Sequence, residues 1–319
     1  MSDWQPSAAL DVLQARAQLF DQLRQFFRDR GVLEVETPLL AQATVTEPAI
    51  NAFSVPVAPN SADRFLQTSP EYAMKRLLAA GAGDLFQICK AFRRGEAGSR
   101  HNPEFTLLEW YRRGKDHRQL IREVAELLCE VVECPGWQVW PYRSLFTELL
   151  GLDPFSDSIG VPELQRAAQT RLGDIPDGLD RDALLDLLMS HCIEPEVAQW
   201  GVVFVTDFPL SQAALARQTQ VNGLVVAARF EVWVDGLELA NGYWEEPDAE
   251  TLRHRFAQDQ RKRVEQGKSP VAMDERLLAA HQHGLPDCAG VALGVDRLLA
   301  RKLGLGDIRT AVSFGWDSA

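Results

Sequence analysis

The amino-acid sequence predicts an α+β fold in which strands from both halves of the chain form one sheet and helices lie between them. Strand-like segments occur early, at 84–93 and 104–111, and return late, at 224–234 and 237–243. Apolar residues at helical spacing separate these segments. The chain has 319 residues, of which 46% are hydrophobic, and this is enough material for one large core.

Composition excludes several classes of protein. The chain has 33 Lys and Arg residues against 45 Asp and Glu residues, a net charge of −12, and therefore lacks the basic balance typical of nucleic-acid binding. It has neither an apolar run of roughly 18 residues nor a secretory signal at its start, so we expect a cytoplasmic protein without a membrane partner. Its five cysteines form no CxxC pair, which argues against a disulfide scaffold and a zinc site.

The first elements follow from local signals. Helical spacing over 8–30 ends at Gly31, and the β-rich segment after it is interrupted by Pro38, which suits an edge strand. Ser69 and Pro70 open a second helix over 69–81. The two early strands then flank a polar loop.

The later elements are less regular at first. Asp116 and Gln119 have the spacing of a capping box for a third helix. Pro and Gly punctuate residues 135–222, which we interpret as an insertion with helices at 162–172 and 180–192 and a strand at 202–206. A charged helix follows at 248 to about 266 and another helix near 274–283, and a Gly-containing strand leads into a final helix near Val295.

The segment FEVWVDGLELANG predicts a hairpin that brings two carboxylates together. Asp235 and Gly236 lie between two alternating apolar runs, which is typical of a two-residue turn. This turn places Glu231 opposite Ala240 and puts Glu238 on the same face. Two close carboxylates repel unless a cation lies between them, and magnesium with phosphate oxygens suits such a pair. A solvated outer face remains an alternative.

The loop between the two early strands is rich in cations. Arg93, Arg94, Arg100 and His101 lie within it, together with Glu96. Arginine forks bind phosphate in a bidentate manner, so the loop is a candidate nucleotide contact. A solvated basic loop is the alternative.

The segment GVALGVDR is the third candidate element. Gly290 and Gly294 precede a helix in whose first turn Arg297 is expected to point toward phosphate. The spacings of a dinucleotide fingerprint and of a P-loop are absent. Glycine before a helix is common, and this motif alone is therefore weak.

Together these motifs resemble the class II aminoacyl-tRNA synthetases. Motif 1 corresponds to about 8–40, motif 2 to about 84–111 and motif 3 to about 287–303. TSPEYAMKRLL, RHNPEFTLLEWY and ELANGYWE resemble the lysyl branch in particular. The resemblance implies a single catalytic domain over 1–319, an antiparallel sheet flanked by helices, and a homodimer with Pro38 near the interface.

The resemblance is closer still to truncated paralogues of lysyl-tRNA synthetase that join (R)-β-lysine to elongation factor P. The motif 1 helix starts within about ten residues of Met1, so we expect no anticodon-binding barrel and no tRNA partner. The resemblance implies an AMP-forming reaction with ATP and Mg²⁺. A small enzyme that charges tRNA and a non-catalytic regulatory paralogue are the alternatives.

The resemblance also assigns roles to individual residues. Arg93 and Arg297 are the implied catalytic residues, and Glu231 and Glu238 the implied metal ligands. The implied substrate contacts are Ser69, Pro70, Glu71, Tyr111, Glu245 and Ala292. The implied ATP contacts are Arg93, Arg94, Gly95, Glu96, Asn102, Glu238, Leu239, Gly294 and Arg297. A first-turn helix acid and a core aromatic are the simpler interpretations of Glu71 and Tyr111.

Two positions depart from the synthetase pattern. Lysyl-tRNA synthetases have Arg-x-Glu at the start of the motif 2 loop, whereas Arg93 is followed here by Arg94 and Gly95, with Glu96 one place later. We expect Glu96 or the backbone to replace the missing contact. Those enzymes also have glycine where this chain has Ala292, and a methyl group there would narrow the amino-acid pocket.

Overall fold

A computed structural model describes residues 4–59, 61–132, 134 and 136–319. Its strands are β1 Leu33–Glu34, β2 Leu40–Ala41, β3 Ser54–Val55, β4 Arg64–Leu66, β5 Leu85–Phe92, β6 Glu104–Arg113, β7 Trp137–Pro141, β8 Val202–Phe208, β9 Gln218–Val221, β10 Leu224–Val234, β11 Leu237–Trp244 and β12 Cys288–Gly294. Its α-helices are α1 Leu10–Asp29, α2 Glu71–Ala79, α3 His117–Val131, α4 Tyr142–Leu145, α5 Val161–Leu172, α6 Arg181–Leu188, α7 Glu194–Val197, α8 Ala249–Glu265, α9 Glu275–Gly284 and α10 Val295–Leu303. None of these helices is long and apolar enough to cross a membrane.

The main sheet confirms the predicted α+β class. Its strand order is β1-β5-β6-β12-β11-β10-β8-β7, with β9 paired to β10. The central pairs are antiparallel, and only the outer pairs β1–β5 and β7–β8 are parallel. The early strands β5 and β6 therefore meet the late strands β10–β12 in one sheet, as the sequence predicted.

The register of the central strands aligns two rows of side chains on one face. Residues two apart on a strand point to the same side of a sheet. Paired residues of adjacent strands therefore form a row across the sheet, and the next row on the same face lies two residues further along each strand. The first row is Glu109, Ala292, Asn241 and Glu231, and the second is Tyr111, Gly290, Tyr243 and Arg229. Six of these eight residues are polar, and this face therefore presents a row of polar groups.

The opposite face packs on helices. Phe27 of α1 stacks on Phe86 of β5 at a centroid distance of 4.4 Å, and α3 and α10 complete the same core. The capping box that begins α3 is confirmed, because the Gln119 amide nitrogen donates to Asp116 Oδ1 at 2.8 Å and the Gln119 side chain accepts from the Asp116 amide. The helices therefore cover one side of the sheet and leave the other free for a site.

The hairpin of β10 and β11 differs from its predicted register. The turn at 235–236 has positive φ at both residues, as a two-residue hairpin turn requires. A β-bulge then places Leu239 as an extra residue, so Glu231 lies opposite Asn241. The predicted pairing of Glu231 with Ala240 is wrong by one residue. The bulge changes the direction of the side chains next to it, but Glu231 and Glu238 still lie on the same face of the sheet.

The segment predicted as an insertion, 135–222, contributes to the main sheet as well as to a second core. Its strands β7 and β8 extend the sheet beyond β10. Its helices α4–α7 enclose a separate hydrophobic cluster with residues of β8. The first residue of the segment, Pro135, lies outside the described residues.

The cysteines depart in part from expectation. Cys129 and Cys134 form a disulfide at the end of α3, although the odd number of cysteines and the absence of a CxxC pair argued against a disulfide scaffold. The bond links residues only five apart in sequence, so it closes a short loop and does not connect distant parts of the fold. Cys89, Cys192 and Cys288 are free.

Candidate active site

A cavity of about 1220 Å³ lies over the open face of the sheet. The two rows of side chains form its floor, and its walls come from the loop 45–50, from α6 and α8, and from the segment 210–215. Most residues predicted for the site line this one space. They are Ser69, Glu71, Arg93, Glu96, Asn102, Tyr111, Glu231, Glu238, Leu239, Glu245, Ala292, Gly294 and Arg297.

Three predicted residues do not line this cavity. Pro70 is the N-cap residue of α2, and Arg94 and Gly95 line a smaller neighbouring cavity of about 390 Å³. Glu96 does line the main cavity, where its Oε2 lies 3.8 Å from Arg93 Nη1. The carboxylate that departs from the synthetase spacing by one place therefore still reaches the arginine of motif 2.

One end of the cavity contains a buried ammonium between two carboxylates. Lys75 is fully buried, and its Nζ lies 2.7 Å from Glu71 Oε1 and 2.6 Å from Glu245 Oε2. The two glutamates raise the pKa of Lys75 against the effect of burial, which lowers it, so this lysine is charged. Sequence reasoning missed Lys75. The i, i+4 spacing from Glu71 on α2 was the signal that could have found it.

A third carboxylate, Glu109, joins this end of the cavity. It accepts hydrogen bonds from Ser69 Oγ and from the Tyr111 hydroxyl, both at 2.7 Å. Burial and the nearby charge of Glu71 raise the pKa of Glu109. Sequence reasoning missed this residue too, because a single acid within a strand has no distinctive pattern.

The acids at this end outnumber the cations. When ionised, Glu71, Glu109 and Glu245 carry three negative charges, and Lys75 supplies one positive charge. Buried carboxylates without counter-charge are costly, so this end is suited to a ligand that bears ammonium groups. We name it the acid end.

Gly290 and Ala292 form the floor beneath the acid end. A Cβ atom at Gly290 would overlap the Tyr111 ring and lie 2.6 Å from Glu245 Oε1, so only glycine fits there. At Gly294 an added Cβ would meet its nearest atom at 3.7 Å, an ordinary contact. Close packing thus requires glycine at 290, whereas the space at 294 would admit a side chain.

The other end of the cavity is basic. The Arg93 guanidinium lies 5.1 Å from the centre of the Phe105 ring, and its buried Nε finds no hydrogen-bond partner among the described residues. Arg297 donates to the backbone oxygens of Glu238 and Arg100, at 2.7 and 3.2 Å. These arginines are suited to phosphate, and we name this region the phosphate end.

His101 and Asn102 hold the motif 2 loop at the phosphate end. Arg297 Nη2 lies 2.8 Å from His101 Nε2, and burial together with Arg297 lowers the pKa of His101, so the neutral ring accepts this bond. Asn102 donates to the Glu104 backbone oxygen at 2.6 Å and accepts from the Trp316 amide at 3.0 Å. The Asn102 side chain therefore braces the loop against the C-terminal segment.

The predicted metal pair lines the same cavity, with Glu238 Oε2 3.8 Å from Arg297 Nη1 of the phosphate end. Glu231 accepts from Arg229 Nη2 at 2.6 Å and from Trp233 Nε1 at 3.2 Å, whereas Glu238 is partly exposed to the cavity. Burial raises the pKa of Glu231; Arg229 opposes this rise and the nearby charge of Glu238 adds to it. A divalent cation would offset this repulsion, so the pair fits magnesium. Among the described residues no cluster of three or more acid, histidine or cysteine side chains could hold a metal by itself, and phosphate would have to complete the shell.

Comparison with known proteins defines the class. A family model for class II tRNA synthetases (D, K and N) matches residues 2–318, and the chain belongs to this family.

Similar curated proteins extend over almost the whole chain. The elongation factor P–(R)-β-lysine ligase of Pasteurella multocida is 46% identical over 321 residues, which cover 99% of this chain and 98% of that protein. The proteins of the same name from Pectobacterium carotovorum and Mannheimia succiniciproducens are 46% and 45% identical, over 100% and 99% of this chain and 99% and 98% of their own lengths. The resemblance inferred from the motifs is thereby confirmed.

The ion triad of Lys75, Glu71 and Glu245 predicts a large effect on stability. Lys75→Met should lower the free energy of unfolding by about 3 kcal/mol, because two buried carboxylates lose their shared counter-charge. Urea denaturation measures this. The double variant Lys75→Met, Glu245→Gln should recover part of the loss. Arg253→Met, which breaks the exposed pair with Glu275, is the control and should change little. A Lys75→Met variant as stable as the wild type would contradict a charged triad.

Proposed function

We propose that the protein is an ATP-dependent, AMP-forming ligase that activates (R)-β-lysine as an adenylate and transfers it to a lysine side chain of elongation factor P. The observation that supports this most directly is the division of one cavity into an acid end and a phosphate end. A lysine isomer has two ammonium groups and a carboxylate, so it suits the acid end with its carboxylate directed toward the phosphates. The names of relatives that are about 45% identical support the same substrates.

In the first step the substrate carboxylate attacks the α-phosphate of ATP, and pyrophosphate leaves. Arg93 would bind the α-phosphate and stabilise the charge that develops there. Arg297, held by three contacts, would bind the γ-phosphate and keep pyrophosphate in line to leave. Glu231 and Glu238 would hold magnesium, whose charge offsets that of the phosphates.

In the second step the amine of the acceptor lysine attacks the acyl carbon of the adenylate. A C–N bond forms, the C–O bond to AMP breaks, and the product is an amide. The acid end holds the β-lysyl group in place by binding the ammonium groups of that acyl group. AMP meanwhile leaves from the phosphate end.

The intact mass of the acceptor tests this function. Purified elongation factor P, incubated with enzyme, ATP and (R)-β-lysine, should gain the mass of one β-lysyl group. Parallel reactions with α-lysine, and with tRNA as acceptor, should give little product. Charging of tRNA without modification of elongation factor P would overturn the proposal, and so would the absence of both reactions.

We also propose that residues 1–319 form one catalytic domain and that it acts as a homodimer. Leu33 and Leu40, which lie in the predicted motif 1, are exposed apolar residues. Leu33 lies on β1, the edge strand of the main sheet, and such an edge is usually covered. Light scattering at micromolar concentration should give the mass of a dimer, and a charged residue at Leu33 should shift it toward the monomer. A wild-type monomer would contradict this assembly.

The metal pair predicts a defect confined to the chemistry of ATP. Glu238→Gln should slow pyrophosphate exchange about a hundredfold, because the neutral amide holds magnesium weakly. The midpoint of urea denaturation should stay unchanged, since this side chain is partly exposed. Glu250→Gln, at an exposed position in the first turn of α8, is the control. If the double variant of Glu231 and Glu238 exchanges pyrophosphate at the wild-type rate, the metal assignment is wrong.

Ala292 predicts the choice of lysine isomer. It lies on the cavity floor between Glu109 and Asn241, where its methyl group limits the space beneath the substrate. One carbon in a packed site changes selectivity by about 1–3 kcal/mol, so Ala292→Gly should shift the preference toward α-lysine about tenfold. Pyrophosphate exchange with both isomers measures this, and the KM for ATP should not move. An unchanged isomer ratio in the variant would refute the role of the methyl group.

A further inference from the structure

The loop 45–50 places one carboxylate, that of Glu47, in the cavity. Glu47 lines the cavity wall and is solvent-accessible. The segment QATVTEP contains it, and the reaction steps described above do not use it.

Contacts from α8 and the segment after it fix the loop from behind. Thr46 Oγ1 donates to Asp259 Oδ2 at 2.6 Å. Arg263 donates to the Glu47 backbone oxygen at 3.2 Å, and Lys268 Nζ donates to the Pro48 backbone oxygen at 2.6 Å. These bonds hold the backbone and leave the Glu47 carboxylate free, so the loop presents this group at a fixed position.

Glu47 shares the cavity with charged residues of both ends. Arg229, Asp259, Arg93 and Glu71 all lie close enough to affect its pKa. Arg93 belongs to the phosphate end and Glu71 to the acid end, and both line the same cavity as Glu47. Burial within the cavity walls raises the pKa of Glu47, with Asp259 and Glu71 adding to the rise and Arg229 and Arg93 opposing it.

Several other acids that line the cavity already have partners. Glu71 and Glu245 pair with Lys75, Glu109 accepts from Ser69 and Tyr111, and Glu231 pairs with Arg229. Asp186 accepts from Gln212, and Asp259 from Thr46. Within the described part of the chain, no side chain donates a hydrogen bond to the Glu47 carboxylate.

We propose that Glu47 is the catalytic base of the transfer step, where it takes a proton from the ammonium group of the acceptor lysine. This inference rests on the proposed function. A lysine ammonium has a pKa of about 10.4 in water and cannot attack until it loses a proton. The first proton passes to Glu47, the neutral amine forms the C–N bond, and AMP leaves with the electron pair of the C–O bond. The second proton leaves the nitrogen for the released AMP phosphate or for solvent.

The test separates the two steps of the reaction. Glu47→Gln should exchange pyrophosphate at close to the wild-type rate, because adenylate formation needs no base. Transfer from the preformed adenylate to Nα-acetyl-lysine, measured in a single turnover, should slow by about a hundredfold or more. Glu265→Gln makes the same chemical change at another acid that lines the cavity and should leave both steps unchanged.

Hydroxylamine distinguishes a base from a residue that only positions the acceptor. Its amino group is already neutral at neutral pH, so the adenylate in Glu47→Gln should react with hydroxylamine at the wild-type rate. Equal slowing with hydroxylamine and with Nα-acetyl-lysine would overturn the role of base. Loss of pyrophosphate exchange in Glu47→Gln, or unimpaired transfer to Nα-acetyl-lysine, would also overturn it.

The same experiment distinguishes failure of this inference from failure of the proposed function. If wild-type adenylate reacts with Nα-acetyl-lysine but not with elongation factor P, the acceptor protein is wrong and the comparison of Glu47→Gln with the wild type still decides the role of Glu47. If the wild type forms no adenylate from a lysine isomer, both proposals fail.

Discussion

The site depends first on the antiparallel register of β6, β12, β11 and β10. Because side chains alternate along a strand, one register puts Glu109, Ala292, Asn241 and Glu231 in a single row. A shift of one residue in any pair would turn the side chains of the shifted strand to the opposite face of the sheet. The helices α1, α3 and α10 prevent such a shift, since they pack against the apolar residues of the opposite face.

The second constraint is the separation of charge across this face. The acid end and the phosphate end share one cavity, yet each has its own neutralising contacts. The ammonium group of Lys75 offsets part of the negative charge of the acid end, so the chain can fold around three carboxylates before any ligand binds. At the phosphate end the buried Nε of Arg93 has no partner in the described part of the chain, and a phosphate oxygen would satisfy it. Contacts within the protein thus offset part of the electrostatic cost of the site, and contacts with the ligands would offset the remainder.

Much of the fold could be predicted because its signals are local. The turn at 235–236, the capping box at Asp116 and the strand that leads into α10 all depend on neighbouring residues, and the structure confirms them. The bulge at Leu239 could not be predicted, since a bulge adds one residue without a distinctive pattern. Lys75 was missed for a different reason: its burial depends on Glu245, which lies far away in sequence. Motif resemblance brought together most residues of the cavity, but isolated acids such as Glu109 and Glu47 required the geometry.

The contacts that anchor the loop 45–50 determine when the cavity can form during synthesis of the chain. Its three side-chain contacts join residues 213, 216 and 220 positions apart in sequence. Arg297 likewise reaches back to His101, 196 positions earlier. A chain still emerging from the ribosome therefore has no complete cavity until α8, β12 and α10 have been synthesised. Catalysis thus requires synthesis of the chain through α10, and a product truncated before α8 has an unanchored loop and a phosphate end without Arg297.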